Sequence, residues 1–232
     1  METFNSRTKM LLGEQAITDL MKKRILVFGL GGVGGYVVEA LARTGIGTLG
    51  IVDYDRIDVT NINRQIIALN STMGSFKTDV MEKRIKDINP QAKVIAYNLR
   101  LNPDNIDEIT LEDWDYIVDA IDDVAAKILL IGEAKRRNVP IISSMGAGNR
   151  VDPTQLKVSD INKTHTCPLA KSIRKKLREL NIDELKVVFS DEKPDRKEYP
   201  GDGSNPPASI AFVPAAAGLI IGAEVVKDLL NL

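Results

Sequence analysis

The fold class follows from one short stretch of the sequence, Arg24–Gly34 (RILVFGLGGVG). The apolar run from Ile25 to Phe28 predicts a strand that is covered on both faces, as in a parallel sheet. The four glycines that follow it permit a tight turn, a close approach of the backbone to a phosphate, and the start of a helix. A strand, a glycine loop and a helix in this order are typical of a Rossmann-like, doubly wound α/β fold.

Strand-like and helix-like segments alternate from this stretch to about residue 145. The predicted strands are Arg24–Gly29, Thr48–Asp53, Lys93–Tyr97, Tyr116–Ala120 and Pro140–Ser144, and the predicted helices are Gly34–Thr44, Phe76–Asn89 and Val124–Asn138. This alternation indicates a parallel sheet with helices on both faces. Residues 1–150 are therefore predicted to form a Rossmann-like, nucleotide-binding half.

Residues 151–232 are predicted to form a smaller half that extends the sheet with mixed or antiparallel strands. Its predicted elements are strands at Gln155–Ser159 and Leu185–Ser190 and a helix at Pro168–Leu180. We expect this half to serve substrate binding and dimer contacts. Residues 191–207 hold four prolines and eight charged residues, which predicts a mobile loop.

The apolar run Ile210–Val226 is shorter than the ~20 residues that a membrane span needs. It therefore predicts a buried helix that starts near Pro214. Gly218 and Gly222, four residues apart, would let another backbone approach this helix closely, within the chain or across a dimer.

The composition argues against several classes of protein. The 232 residues include 31 Lys and Arg against 32 Asp and Glu, and this near balance argues against a protein that coats nucleic acid by bulk charge. The single cysteine cannot form an internal disulfide, and the single histidine disfavours a Ser-His-Asp triad. The polar N-terminus lacks the apolar core of a signal peptide, so we expect a cytoplasmic protein in a reducing compartment.

The glycine loop and one acidic residue predict a nucleotide site. Gly29, Gly31, Gly32 and Gly34 would present backbone N–H groups at a helix N-terminus to a phosphate. Asp53 ends the next predicted strand, nineteen residues beyond Gly34, where a carboxylate can bind ribose hydroxyls. This fingerprint leaves NAD, FAD and ATP open.

Three further charged residues favour cleavage of a triphosphate. If the loops meet at the carboxyl edge of the sheet, Arg64 and Lys77 place two cations near the phosphates. Asp122 follows a predicted strand there and suits Mg²⁺. Hydride transfer needs no such set, whereas cleavage between the α- and β-phosphates does, because charge develops on the departing pyrophosphate.

Several motifs resemble those of a known family. They are Gly-Leu-Gly-Gly-Val-Gly at 29–34, Asp-Tyr-Asp at 53–55, Asn-Ile-Asn-Arg-Gln at 61–65 and Asp-Ala-Ile-Asp at 119–122. The set is similar to the ubiquitin-activating-enzyme-like (ThiF/MoeB/HesA) superfamily, whose members adenylate a carboxylate and release pyrophosphate. Leu-Ala-Arg-Thr-Gly-Ile-Gly at 41–47 and Asp-Pro-Thr at 152–154 most resemble its branch of tRNA threonylcarbamoyladenosine dehydratases. The resemblance covers about residues 7–230.

The resemblance implies an enzyme that uses ATP and Mg²⁺. Beside the glycine loop, the residues implied to hold the nucleotide are Asp53, Asp55, Asn61, Arg64, Lys77 and Asp122. Arg64, Lys77 and Asp122 are the implied catalytic residues, and Asp122 is also the implied metal ligand. The implied reaction is ATP-dependent dehydration of threonylcarbamoyladenosine in tRNA through an adenylated carboxylate.

The resemblance also implies partners. Family members are homodimers, and Arg7 stands where related enzymes place an arginine that reaches the neighbouring subunit's site. A sulfur-relay protein is a further family-level partner. Sulfur-carrier and ubiquitin-like activators usually hold zinc through two pairs of cysteines, which Cys167 alone cannot do. Two alternatives stay open: adenylation of the C-terminus of a ubiquitin-like or sulfur-carrier protein, and a non-catalytic nucleotide-sensing or NAD-binding module.

The predicted helix Pro168–Leu180 carries a basic face. Its basic residues opposite the apolar stripe are Lys171, Arg174, Lys175 and Arg178. This face fits contact with tRNA phosphates, and an ordinary solvated surface is the alternative.

Cys167 directly precedes this helix, where basic neighbours could favour the thiolate of a thioester-forming nucleophile. A thiol without a covalent role is the alternative. The reaction does not demand the thiol, because the carbamoyl nitrogen can attack the adenylated carboxylate of the same side chain.

Overall fold

The computed structural model describes residues 3–195 and 207–232. Within these ranges the strands form one seven-stranded sheet in the order β3-β2-β1-β4-β5-β7-β6. The strands are β1 (Arg24–Phe28), β2 (Thr48–Val52), β3 (Lys93–Tyr97), β4 (Tyr116–Asp119), β5 (Ile141–Ser144), β6 (Leu156–Asp160) and β7 (Lys186–Ser190). All pairs are parallel except β6 with β7, which is antiparallel. The predicted Rossmann-like sheet with an antiparallel C-terminal extension is confirmed.

The α-helices of the described residues are α1 (Ser6–Leu12), α2 (Glu14–Leu20), α3 (Gly34–Thr44), α4 (Lys77–Ile88), α5 (Val124–Arg136), α6 (Pro168–Glu179) and α7 (Phe212–Leu230). Helices α3 to α6 match the predicted segments within two residues at each end. Helix α7 begins two residues before the predicted Pro214. Helices α1 and α2 are not among the predicted segments. Leu180, which extends the apolar stripe of α6, is 50% exposed because the helix ends before it.

Successive residues of β1 face opposite sides of the sheet, and each side has its own buried cluster. Ile25 and Val27 pack in the cluster that contains residues of α3, α4 and α7. Leu26 and Phe28 pack in the cluster that contains residues of α5 and α6. This two-sided burial explains why the strand is apolar at every position from Ile25 onward.

Helix α7 packs directly on α3, as the small residues of its sequence predict. A Cβ atom at Gly218 would overlap the carbonyl oxygen of Val33, and one at Gly222 would lie 2.9 Å from the Cβ of Ala40. The close backbone contact is therefore made within the chain. No helix of the described residues is long and apolar enough to cross a membrane.

Strands from both predicted halves share this single sheet, since β5 pairs with β7 through Ser143 and Val187. Part of the predicted loop 191–207 lies outside the described residues, namely 196–206. The described residues on either side are both held by Asn149. Its carbonyl oxygen accepts from the N–H of Asp195 at 2.9 Å, and its side-chain oxygen accepts from the N–H of Ala208 at 2.9 Å.

The strand order reverses between β1 and β4, because β2 and β3 follow on one side and β5 on the other. In open α/β sheets, ligands bind at the carboxyl ends of the strands where this reversal occurs. Phe28 at the end of β1 pairs with Asp119 at the end of β4. The topology therefore places the candidate site just beyond these two residues.

Candidate active site

A cleft of about 640 Å³ opens at this point of the sheet. The residues predicted from the sequence that line it are Gly29, Gly31, Gly32, Asp53, Asp55, Asn61, Arg64, Lys77, Asp122 and Cys167. Gly34 lies directly behind the lining, while Arg7 and the basic residues of α6 lie outside it. The structure thus brings together residues that are up to 138 positions apart in the chain, Gly29 to Cys167.

The glycine loop is packed too tightly for side chains at two of its positions. Gly29 has φ +87°, and a Cβ there would lie 2.6 Å from the carbonyl oxygen of Ala120. A Cβ at Gly34 would overlap the carbonyl oxygen of Gly29. Gly34 therefore lets the first turn of α3 fold back onto the end of β1, which aims the helix N-terminus into the cleft.

Replacing Gly34 by Ala is expected to displace the loop and weaken nucleotide binding by at least about tenfold, a loss of ~1.4 kcal/mol or more in binding free energy. Isothermal titration with ATP measures this loss. Gly132→Ala is the matched control, since its Cβ would meet only Leu180 at 3.9 Å and alanine favours the interior of α5. Unchanged ATP affinity in Gly34→Ala would show that the loop does not contact the nucleotide.

Asp53, directly after β2, holds the glycine loop in place through a hydrogen bond to its carboxylate. Its Oδ2 accepts from the N–H of Leu30 at 2.7 Å, and its Oδ1 accepts from the N–H of Asp55 at 2.8 Å. Burial raises the pKa of the Asp53 carboxyl, and the ammonium of Lys77 and these two N–H groups offset only part of that rise. The residue predicted to hold ribose hydroxyls therefore also fixes the loop predicted to hold phosphates.

Lys77 is buried at the start of α4 and lies between two carboxylates. Its Nζ is 2.6 Å from Oδ2 of Asp55 and 3.8 Å from Oδ2 of Asp53. Its backbone N–H also donates to the carbonyl oxygen of Asp55 at 3.0 Å. A lysine held in this way presents a positive charge to the cleft at a fixed position, as stabilisation of a phosphate requires.

Arg64 and Asn61 belong to the segment between β2 and α4. Nη1 of Arg64 donates to the carbonyl oxygen of Thr60 at 2.7 Å and to Oδ1 of Asn63 at 2.9 Å. Oδ1 of Asn61 accepts from the N–H of Asp58 at 3.2 Å and so closes the turn that carries Arg64. These bonds orient the guanidinium along the wall of the cleft.

Of the three aspartates at or just after the end of β4, two have structural partners and one faces the cleft. Oδ1 of Asp119 accepts from the N–H of Ile121 at 3.1 Å, and Oδ1 of Asp123 accepts from the N–H of Ala126 at the start of α5. Asp122 is exposed, lines the cleft and makes no hydrogen bond with the described residues. No group of three or more acidic, His or Cys residues within the described ranges could hold a metal. A single carboxylate fits Mg²⁺ that is bound mainly through phosphate oxygens.

The sequence reading missed several residues that line the cleft, among them Tyr54 and Arg100. The guanidinium carbon of Arg100 is 5.4 Å from the centre of the Tyr54 ring. Both follow the carboxyl ends of strands, Tyr54 after β2 and Arg100 after β3. Their position relative to the strands was the signal that could have indicated them.

A fully buried ion pair lies beneath the cleft and was also missed. Nζ of Lys127 is 2.6 Å from Oδ2 of Asp119, 3.2 Å from Oγ of Ser143 and 3.0 Å from the carbonyl oxygen of Ser144. Lys127 and Asp119 are both 0% exposed. Through these contacts α5 connects the ends of β4 and β5, which form adjacent walls of the cleft. A lysine on an amphipathic helix gives no local signal of such burial.

The remaining predicted residues differ in their surroundings. Arg7 is exposed on α1, and Cys167 is 3% exposed at the N-terminus of α6. Nη1 of Arg174 donates to the carbonyl oxygens of Ile161 and Thr164 at 3.1 and 2.8 Å, so this arginine already supports the preceding turn. The other three predicted tRNA-binding residues, Lys171, Lys175 and Arg178, are exposed.

Comparison with known proteins identifies the family. The model of the ThiF family matches residues 5–232. The chain belongs to the ThiF family. It is similar to the tRNA threonylcarbamoyladenosine dehydratase of Bacillus subtilis (strain 168), with 44% identity over 97% of this chain and 94% of that protein. The Escherichia coli (strain K12) protein of the same name is 42% identical over 74% of this chain and 64% of its own length.

Solved structures agree with this assignment. E. coli tRNA N6-threonylcarbamoyladenosine dehydratase, TcdA, in complex with ATP superimposes with a TM-score of 0.88 and 36% identity, over 97% of this ThiF-family chain and 93% of TcdA. The glycine loop, the seven-stranded sheet and the cleft described above therefore occur in a chain whose similar, solved relative holds ATP.

Proposed function

We propose that this ThiF-family protein catalyses the ATP-dependent dehydration of threonylcarbamoyladenosine in tRNA. One observation carries the proposal: a single cleft joins the glycine loop to Arg64, Lys77 and Asp122. Similar proteins are named tRNA threonylcarbamoyladenosine dehydratase. TcdA of E. coli binds both ATP and AMP in crystals.

The proposed reaction has two steps. In the first, an oxygen of the threonyl carboxylate forms a bond to the α-phosphorus of ATP, and the bond from that phosphorus to the bridging oxygen breaks, which releases pyrophosphate. In the second, the carbamoyl nitrogen attacks the acyl carbon, loses its proton and expels AMP with the original carboxylate oxygen. The product is cyclic and lighter by one water. ATP is needed because AMP is a good leaving group and oxide is a poor one.

The residues of the cleft have distinct roles in this proposal. Arg64 and Lys77 stabilise the charge that develops on the departing pyrophosphate. Asp53, Asp55 and Asn61 position the nucleotide and the loops that hold it. Asp122 would hold Mg²⁺, which neutralises phosphate charge when it is bound.

The position of α6 supports contact with tRNA. Its first residues, Pro168 and Leu169, line the cleft, and Lys171, Lys175 and Arg178 are exposed further along the same helix. A tRNA whose modified base enters the cleft would thus lie with its phosphates near these cations. The cytoplasmic location stays a prediction from the sequence.

Helix α1 supports a homodimer in which Arg7 reaches the site of the second copy. None of its residues is buried, and Met10 and Leu11 are 86% and 82% exposed. Two large apolar side chains on one short helix are costly to leave in water, so we propose that a second copy covers them. A sulfur-relay partner stays a prediction from the family resemblance.

Mass analysis of tRNA nucleosides tests the reaction. After incubation of tRNA with the protein, ATP and Mg²⁺, we expect threonylcarbamoyladenosine to lose the mass of one water, and Asp122→Asn to slow this loss at least about tenfold. Asp87→Asn is the control, because Asp87 is exposed on α4 and does not line the cleft. No mass change with the wild type would contradict the proposal.

A pyrophosphate-release assay with different acceptors separates the alternatives. Pyrophosphate release triggered by a small protein with a Gly-Gly end, and not by modified tRNA, would identify an activator of protein C-termini. No pyrophosphate release with any acceptor would identify a nucleotide-binding module. Cys167→Ala distinguishes the chemical routes, since it leaves direct cyclisation intact and abolishes a route through a thioester.

A further inference from the structure

Arg150 is a buried cation in the wall of the cleft, and none of the described residues gives it an acidic partner. Its side chain is 4% exposed, and within the described part of the chain no carboxylate oxygen lies within 4.0 Å of its guanidinium. Buried charges in proteins are normally paired, because an unpaired charge loses its hydration without compensation. An anion that enters the cleft would supply the missing partner.

The hydrogen bonds of Arg150 to the described residues use two of the three guanidinium nitrogens. Nε donates to the carbonyl oxygen of Glu192 at 3.1 Å, and Nη1 donates to the carbonyl oxygens of Gly146 and Gly148 at 2.7 and 2.9 Å. Nη2 is buried and has no partner among the described residues. The guanidinium is therefore held in place by three backbone groups while two donor hydrogens stay unused.

Arg150 belongs to the side of the cleft that the nucleotide residues do not occupy. We call this side the acceptor wall, and it consists of Ser144, Met145, Gly146, Ala147, Gly148, Asn149, Arg150, Cys167, Pro168 and Leu169. Arg150 is the only charged residue among these ten. It lies next to Cys167, since Nη1 of Arg150 and Sγ of Cys167 are each 3.5 Å from the position of a Cβ on Gly146.

The proposed reaction needs a cation on this side of the cleft. A carboxylate must approach the α-phosphate of ATP, and both groups are negatively charged, so they repel one another in a site of low dielectric. Lys77 and Arg64 lie among the residues assigned to the nucleotide, where they offset phosphate charge. A separate guanidinium in the acceptor wall would offset the charge of the incoming carboxylate.

We propose that the acceptor wall binds the carboxylate of the acceptor and that Arg150 is the group that selects it. This inference rests on the proposed function and adds the recognition element for the second substrate. One carboxylate oxygen accepts from Arg150, which leaves the other oxygen to attack phosphorus.

Kinetics of two variants test the assignment. Arg150→Gln keeps amide donors for the loop 146–148 but removes the charge, and we expect the KM for modified tRNA to rise about tenfold to a hundredfold, the loss of one charged hydrogen bond. The KM for ATP should stay within about twofold, and Arg150→Lys, which keeps the charge without the planar guanidinium, should raise the KM for tRNA less than Arg150→Gln does. Arg136→Gln is the control, since Arg136 is exposed on α5 and pairs with Glu133.

Two results would overturn the assignment. An equal rise in both KM values would show that Arg150 acts on the whole cleft through the loop, and an unchanged KM for tRNA would show that it does not meet the acceptor. If Arg150→Gln does not fold, a crystal of the wild type soaked with AMP and N-carbamoyl-L-threonine decides instead. A hydrogen bond between Arg150 and the carboxylate of N-carbamoyl-L-threonine supports the assignment. A carboxylate bound elsewhere in the cleft refutes it.

The two hypotheses fail in different ways. If the wild type removes no water from tRNA, the proposed function is wrong, whatever the variants show. The soaked crystal still reports whether Arg150 binds a carboxylate, because that measurement requires no turnover.

Discussion

Replacing Lys77 by Met is expected to slow pyrophosphate release by about a hundredfold to a thousandfold, the usual effect of removing one preorganised group that stabilises a developing negative charge. The ammonium is fixed at 2.6 Å from Asp55 and Lys77 as a whole is 5% exposed, so neither a neighbouring side chain nor water can take its place. Single-turnover release of pyrophosphate in the presence of modified tRNA measures the effect on the chemical step.

Lys83→Met is the matched control for this prediction, because Lys83 is exposed on the same helix and does not line the cleft. It should retain the wild-type rate. A Lys77→Met protein that releases pyrophosphate at a rate within about threefold of the wild type would contradict the assignment, since that change corresponds to under ~1 kcal/mol of transition-state stabilisation.

The Lys77→Met variant should also change how the free energy of unfolding depends on pH. Burial raises the folded-state pKa of Asp53 above its ordinary value of 3.8, so the folded protein binds the proton more tightly than the unfolded chain. The free energy of unfolding therefore falls as the pH rises from that ordinary value through the folded-state pKa. Lys77 lowers the pKa of Asp53 in part, and its removal should widen this window towards higher pH. Denaturant unfolding of the wild type and of Lys77→Met at several pH values measures this pH dependence.

Replacing Lys127 by Met is expected to lower the free energy of unfolding by about 3–5 kcal/mol, because it leaves the carboxylate of Asp119 buried and unpaired. Both partners are 0% exposed, and Asp119 keeps only Ser143 and one backbone N–H as donors in the variant. Urea denaturation followed by circular dichroism measures the loss. Lys135→Met on the same helix is the control, since its contact with the exposed Glu184 is 3.7 Å long and should contribute no more than about 1 kcal/mol.

The double variant Asp119→Asn, Lys127→Met separates stability from positioning. Removing both charges should restore much of the lost stability, because a buried ion pair stabilises a fold little compared with apolar packing. Activity should stay low, since the ends of β4 and β5 lose the contacts that hold Asp122 and the acceptor wall. Restored stability together with wild-type activity would show that the pair does not position the cleft.

The nucleotide-binding half could be predicted because its signals are local. The glycine spacing at 29–34 and the apolar runs of the strands are visible within short stretches of the sequence. Asp53, Asp55, Lys77 and Asp122 line one cleft because they follow strands or begin helices, and the carboxyl ends of parallel strands meet at one edge of a sheet.

The acceptor side could not be predicted in the same way. Arg150 lies in a loop with no periodic pattern, and its burial follows from carbonyl groups at Gly146, Gly148 and Glu192, up to 42 positions away. Arg174 belongs to a stripe that resembles a solvated basic face, yet the carbonyl oxygens of Ile161 and Thr164 hold it against the preceding turn. Charge and periodicity do not reveal which basic residue finds backbone acceptors.

The sequence by itself predicted the Rossmann-like sheet, because the strand, the glycine loop and the helix that indicate it lie within a few tens of residues. The motifs also carried the resemblance to the family, and the residues assigned to the nucleotide stay a prediction. Only the tertiary structure decided that Lys127 is a buried partner of Asp119. It also decided that, among the residues that the structure describes, Asp122 has no hydrogen-bond partner and Arg150 has no acidic partner. These properties depend on which backbone and side-chain groups meet after folding. A linear pattern does not encode the distances between groups that are far apart in the chain.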